Sequence, residues 1–422
     1  MTGAAVPPAT PPASPHALAR IDVLDILRGM ALLGMFVVHF NNYAWTAAGD
    51  TPSGAMQVLG RIVGLFIDGR FYTMFGILFG VGFAIQLSRA DARGEPFVGR
   101  FLRRLAALAV FGLIAEGIFG YNVLLGYAVW AVPLLVVRRW PVKALVVLLV
   151  VCAASLPIYN ITRVAVFGPA RVNEANRARS TAFRSALAEH EQAQKAGDWG
   201  TVVAARLRFM PAFHKQWNLL PTGSFTLFLV GLIAFRVGLF DHPERHRRTI
   251  AALMVAGTVS WALSNWVFPI GSRPPPVIPP DTTPADMAWV IARANGFRLV
   301  RDQWLAFTYM GAILLLVSHS RAWINRLAPL AWTGRMALTH YMTQVILLDT
   351  LFTPHGLNLG VTPVMVPLGA LALFGAQALF SRWWFARYRL GPLEQVWRAI
   401  TYWRWEPNRL IETTTPAPAP AT

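Results

Sequence analysis

The sequence predicts an all-α, polytopic integral membrane helix bundle of about ten transmembrane helices with both termini cytoplasmic. Three observations lead there. Of 422 residues, 55% are hydrophobic and only 14% charged, far from the balance of a soluble chain. Apolar runs of roughly bilayer-spanning length recur along the chain. Basic residues collect at alternate junctions between those runs, as the positive-inside rule requires.

The runs lie at about 22–44, 71–88, 105–119, 122–137, 144–162, 222–239, 249–268, 304–319, 336–353 and 361–381. Arg89, Arg93, Arg100, Arg103 and Arg104 follow the second run, Arg138, Arg139 and Lys143 the fourth, Arg245, Arg247 and Arg248 the sixth, and Arg321 and Arg326 the eighth. Connections 45–55, 119–122 and 354–360 carry no Lys or Arg. A shorter apolar piece, AMQVLGRIVGLFI, is followed at once by Asp68-Gly69-Arg70 and reads as an interfacial or re-entrant helix. The connection 163–221 is charged and helix-prone and reads as an extracytoplasmic pair of surface helices. The connection 269–303 opens with GSRPPPVIPPDTTP, whose prolines predict a stiff cap without regular structure. Residues 1–19 and 406–422 are Pro- and Ala-rich and read as disordered tails flanking a helical domain over 20–405. The first of them lacks the basic-then-apolar order of a signal peptide.

The formal net charge of +18 suggests nucleic acid at first sight, but the basic residues are dispersed as topology signals, and no nucleic-acid partner is expected. The bilayer is the expected partner, and a homo-oligomer is left open. One cysteine, Cys152, excludes an intrachain disulfide or a Cys-rich metal site. No Walker loop, dinucleotide fingerprint, His-Glu-x-x-His or Gly-x-Ser-x-Gly occurs. These absences remove support for ATP-driven transport, hydride transfer and zinc proteolysis, and no metal is expected.

Candidate functional residues begin in the first run, LDILRGMALLGMFVVHFNNY. Asp25 and Arg28 are helix neighbours at i, i+3. His39, eleven residues after Arg28, returns to within roughly 20° of the same face about 16 Å further along. An ionisable group this deep in a span usually faces the bundle interior or a wet cavity, and imidazole is a general base near neutral pH. The alternatives are an interfacial ion pair for Asp25 and Arg28 and a hydrogen-bonded structural role for His39. Arg70, at the mouth of the second run, suits a phosphate or carboxylate of a substrate, or a pair with Asp68. Gly76 and Gly80 stand at small-xxx-small spacing and predict close helix packing. Glu116 ends the third run, where it could partner His39 or simply meet water. In TGRMALTHYMTQ, Arg335, Thr339 and Gln344 follow helical spacing and could line a polar path with His340 beside them; Arg335 and His340 are the substrate-binding candidates there.

RIDVLDILRGMALLGM, GRFYTMFGILFGVGFAIQLSRA, GRMALTHYMTQ and GPLEQVWRAITYWRW together resemble the YeiB-like bacterial membrane proteins, whose C-terminal part is domain of unknown function 418; that part corresponds to about 222–405 here. The first helix is also similar to the opening helix of membrane acyltransferases that modify cell-surface sugars, with Asp25, Arg28 and His39 at the Asp-x-x-Arg and His positions. This resemblance implies a bacterial inner-membrane protein that moves an acyl group from cytoplasmic acyl-CoA, the donor substrate, to an extracytoplasmic glycan or similar acceptor. It implies His39 as the catalytic group and Asp25 and Arg28 as the donor site; Glu116 is added as a catalytic partner of His39 from its own position and not from the resemblance. Relatives tend to carry Gly-Asp at Tyr121-Asn122 and Asn at His340, departures that weaken acid/base roles at both places. A small-molecule or lipid-linked carrier and a non-catalytic envelope assembly protein are the competing readings.

Overall fold

Backbone N–H and C=O groups find no water in hydrocarbon, so apolar chain of this kind must pair them within itself. In the computed structural model, which describes residues 15–48, 53–120, 123–196, 198–217, 223–267, 281 and 283–410, the chain meets that demand with helices. They are α1 (Pro15–Ala48), α2 (Gly54–Phe66), α3 (Arg70–Ala92), α4 (Val98–Ile114), a π-helix (Ala115–Phe119), α5 (Leu124–Trp130), α6 (Leu134–Val137), α7 (Val142–Phe167), α8 (Pro169–Ala196), α9 (Trp199–Trp217), α10 (Ser224–Arg236), α11 (Arg247–Val267), α12 (Pro284–His319), α13 (Ala322–Arg326), α14 (Ala328–Arg335), α15 (Ala337–Phe352), α16 (Met365–Phe385) and α17 (Pro392–Tyr402). Among the described residues there is no strand, only an isolated antiparallel bridge between Tyr388 and Arg409.

Three stretches are long and apolar enough to cross a membrane: Asp22–Thr46, Gly54–Ala92 and Met365–Phe385. A fourth arises if Val142–Leu156 and Ile158–Phe167, bent by 41° around Pro157, form one span. That bend follows from proline, which has no N–H for the helix ladder. Others among the ten expected runs are shorter helices. The 13 residues of α10 reach roughly 20 Å against a core of about 30 Å. Run 122–137 is broken by a turn over 131–133 into α5 and α6.

Helix α1 is the centre of packing, touching α2, α3, α12, α14, α15 and α16. Its crossing with α14 is backbone against backbone. A Cβ at Gly29 would stand 1.9 Å from the Leu330 carbonyl oxygen, and one at Gly334 would stand 1.9 Å from that of Asp25. The α3–α10 crossing is built alike: a Cβ at Gly80 would meet the Phe228 oxygen at 2.1 Å. The packing role expected of Gly76 and Gly80 is therefore realised. On the outer surface α7 presents Val147, Val150 and Val151, an apolar face suited to lipid.

Four boundary expectations change. The first helix starts at Pro15, inside the expected tail, and 406–410 fold back on the bundle, where Leu410 N–H donates to Arg387 O at 2.8 Å. Helix α12 starts at Pro284, twenty residues before the expected 304, because Thr283 caps it and accepts the Asp286 N–H at 3.2 Å. The expected Pro-rich cap falls largely on 268–280, and the Tyr121-Asn122 turn on 121–122, both outside the described residues. The chain between α14 and α15 turns at Met336 (φ −110°, ψ 34°), so Arg335 and Thr339 do not share one continuous helix.

Gly334→Ala should therefore lower stability by about 1–3 kcal/mol through overpacking at the α1–α14 crossing. Gly82→Ala, whose Cβ meets nothing, should be neutral or stabilise by about 0.5–1 kcal/mol. Thermal unfolding in detergent compares the two.

Candidate functional site

At the N-terminal end of α1, Arg28 Nη1 donates to Asp25 Oδ1 at 2.6 Å, with Asp25 buried and Arg28 partly open. The Gly29–Gly334 crossing brings Arg335 within electrostatic range of both Asp22 and Asp25. The Arg335 guanidinium rests on the Phe385 ring, 4.0 Å from its centroid. Arg104 of α4 is a like-charge neighbour of Arg28 and lies 3.6 Å from the Trp397 ring centroid. Arg28 and Arg335 thus flank one carboxylate pair, Arg321 lies within electrostatic range of Asp22, and Arg104 stands behind Arg28, an arrangement of cationic groups able to meet an anion.

Eleven residues on, His39 is half-buried, its ring edge-on to Tyr341 with centroids 6.0 Å apart. Tyr341 Oη accepts the Val123 N–H at 3.4 Å, and Glu116 of the π-helix lies within its electrostatic reach. The wide π turn aims the Glu116 side chain inward, where it is 4% exposed. Tyr341 is the residue that His39 and Glu116 share. Among the described residues no hydrogen bond engages the His39 ring nitrogens.

The remaining expected residues make hydrogen bonds within the fold. Arg70 is buried at the α2–α3 corner, where Gly69 (φ 81°) reverses the chain, and its Nη1 donates to Gly64 O at 3.1 Å and to Asp68 O. It closes the carbonyl end of α2. His340 Nε2 pairs with Ser381 Oγ at 2.5 Å, and Gln344 Nε2 donates to Gln377 Oε1 at 2.8 Å. Thr339 Oγ1 donates to Glu394 Oε2 at 2.6 Å, while Glu394 Oε1 accepts the N–H groups of Leu338 at 2.8 Å and Thr339 at 3.1 Å. Burial pushes the Glu394 carboxyl up and these hydrogen bonds pull it back. The positive end of α15 is thereby filled by a side chain of α17.

One cluster was not anticipated. Asp349, near the C-terminal end of α15, accepts Arg206 Nη2 of α9 at 2.5 Å and Tyr43 Oη of α1 at 3.3 Å on Oδ1, and pairs with His355 Nε2 at 2.8 Å on Oδ2. The Arg206 and Asp349 side chains are 2% and 4% exposed. His190 of α8, stacked on Phe209, lies close enough to feel both charges. Asp349 interrupts the apolar stretch TQVILLDTLF, and an ionisable residue inside a span is itself a signal. Its partner, 143 residues away in sequence, carries no local signal at all.

Among the described residues no group of His, Cys, Asp and Glu could hold a metal ion. Residues 234–404 match the family model described as "Protein of unknown function (DUF418)". The chain is 26% identical over 424 residues to "Uncharacterized protein YxaH" of Bacillus subtilis (strain 168), covering 92% of this chain and 96% of that protein. It is 28% identical over 407 residues to "Uncharacterized 39.9 kDa protein in amylase 3'region" of Bacillus acidopullulyticus, covering 91% and 94%. Over 72 residues it is 36% identical to "Uncharacterized protein YeiB" of Escherichia coli (strain K12), 17% of this chain and 19% of that one. No solved structure matches.

Two outcomes follow from the buried cluster. Asp349→Asn leaves a buried arginine without its counter-ion and should cost about 3–5 kcal/mol, whereas Arg206→Met with Asp349→Leu together should cost less, in thermal unfolding. Burial, followed by the charge of Arg206, lowers His190 from 6.5 to about 4, so the folded state resists its protonation. The helix pair α8–α9 should hold above pH 6.5 and loosen as pH falls toward 4, an effect that hydrogen exchange across α8–α9 would detect and His190→Gln would remove.

Proposed function

We propose that the chain, whose residues 234–404 match the DUF418 family model, is a multi-pass inner-membrane acyltransferase. It spans the bilayer about ten times with both termini cytoplasmic, and carries an acyl group from cytoplasmic acyl-CoA to a hydroxyl or amine of an extracytoplasmic glycan. The arginine clusters at alternate junctions support that orientation.

His39 carries the chemical reading. Unlike His340, held by Ser381, and His355, held by Asp349, its ring nitrogens are uncommitted while the ring itself is braced by Tyr341. It takes the proton from the acceptor O–H or N–H as the acceptor oxygen or nitrogen attacks the thioester carbonyl. The new C–O or C–N bond forms, the C–S bond breaks, and CoA leaves as thiolate. Arg28, oriented by Asp25, and Arg335 offer cationic partners for donor phosphates at the opposite end of α1. Glu116 acts through Tyr341 on the same side as His39.

A carrier or flippase is the second reading, favoured by the break between α14 and α15 at Met336, since interrupted helices often line transport sites.

Purified protein given short acyl-CoAs and a cell-envelope glycan fraction should release free CoA. His39→Ala, folded by gel filtration and thermal unfolding, should reduce release by about 10²–10⁴-fold, the usual contribution of a general base. Full release by the folded variant would remove His39 from the mechanism. Acceptor movement without CoA release would favour the carrier.

A further inference from the structure

Asp349 ties three separate pieces of chain at one buried point. Tyr43 comes from α1, Arg206 from α9 and His355 from the segment after α15. Tyr43 is one turn beyond His39 on the same face of α1. Helix α9 also lies on the π-helix that carries Glu116: Leu207, next to Arg206, comes within 3.0 Å of where a Cβ at Gly117 would stand. The C-terminal end of the His39 face thus runs under α9.

Among the described residues the pair α8–α9 has a slender hold on the bundle. The principal packing of α9 is on α8 and on the π-helix, and much of α8 is exposed. An element with so little apolar contact opens locally at low cost unless something specific retains it. Beside that packing, the specific tie is the buried Arg206–Asp349 ion pair, which resists the loss of either partner strongly because the other charge would be left stranded.

We propose that α8–α9 is a strap over the acceptor side of the His39 site, latched by Arg206 on Asp349. Asp349 and Arg206 are positioning residues: they set how far the acceptor can approach His39 without touching the reacting atoms. That an acceptor enters there rests on the acyl-transfer reading, whereas the strap limits access to His39 under either reading.

The test places Cys at position 39 (His39→Cys) in a Cys152→Ala background and follows its modification by a membrane-impermeant maleimide added from the extracytoplasmic side. Asp349→Asn should raise the labelling rate at least about tenfold, as expected when a locally open state gains an order of magnitude in population. Arg206→Lys, which keeps the charge but loses the guanidinium fork, should give a smaller rise in the same direction and serves if Asp349→Asn does not fold. An unchanged rate in a folded variant, whether position 39 is labelled fast or not at all, overturns the strap. No acyl donor is present in this assay, so its outcome is independent of whether the protein releases CoA. Where CoA release is observed, Arg206→Lys should change the KM for acceptor and leave that for acyl-CoA unmoved; a fall in kcat alone would be a structural effect and counts against the assignment.

Discussion

The contact on which the rest depends is the crossing of α1 and α14 at Gly29 and Gly334. Helices in lipid gain little from burying apolar side chains against one another, so close van der Waals approach over small residues must supply the specificity. Here two glycines face opposing carbonyl oxygens, and no other residue fits at that separation. The crossing fixes the rotation of α1 about its own axis. Once that rotation is set, Asp25 is placed beside Arg335, His39 against Tyr341, and Tyr43 on Asp349.

Helix α15 then collects the polar demands of the bundle. Its N-terminal N–H groups are met by Glu394 of α17, His340 by Ser381 and Gln344 by Gln377 of α16, and Asp349 by groups from α1, α9 and the following loop. A buried polar group without a partner is costly, and these partners come from α1, α9, α16, α17 and the loop after α15. Such satisfaction distinguishes the residues that hold the fold from His39, whose ring is packed but not bonded. The contrast between committed and uncommitted histidines is a property of the assembled structure that no single helix pattern contains.

Much of this was legible in the sequence where the signal is periodic and local. The polar face of α1, the glycine pair of α3 and the long apolar run of α16 all rest on spacing within one element, and each appears as expected. The α14–α15 break was not legible, because TGRMALTHYMTQ reads as continuous helix and the carboxylate that ends it lies more than fifty residues away. Nor was Arg206, which sits among other arginines in a polar segment and gains its meaning only from Asp349. The start of α12 could have been read from Thr283-Pro284 with Asp286, a capping pattern overshadowed by the prolines just before it.

The two ends of α15 are held in different ways, and the difference bears on mechanism. At its N-terminal end, Glu394 makes three hydrogen bonds, α17 packs on α4, and Trp397 donates to Arg104 O at 2.9 Å. At its C-terminal end, a single carboxylate gathers Arg206, His355 and Tyr43 and ties down a helix pair whose other packing among the described residues is on the π-helix and on α7. A carrier that alternates access needs a comparable opening at each face. An enzyme that admits an acceptor from one side needs only one. The proposed acyl transfer is compatible with this asymmetry: the N-terminal end is held by contacts spread over several helices, while the contacts of the C-terminal end gather on Asp349.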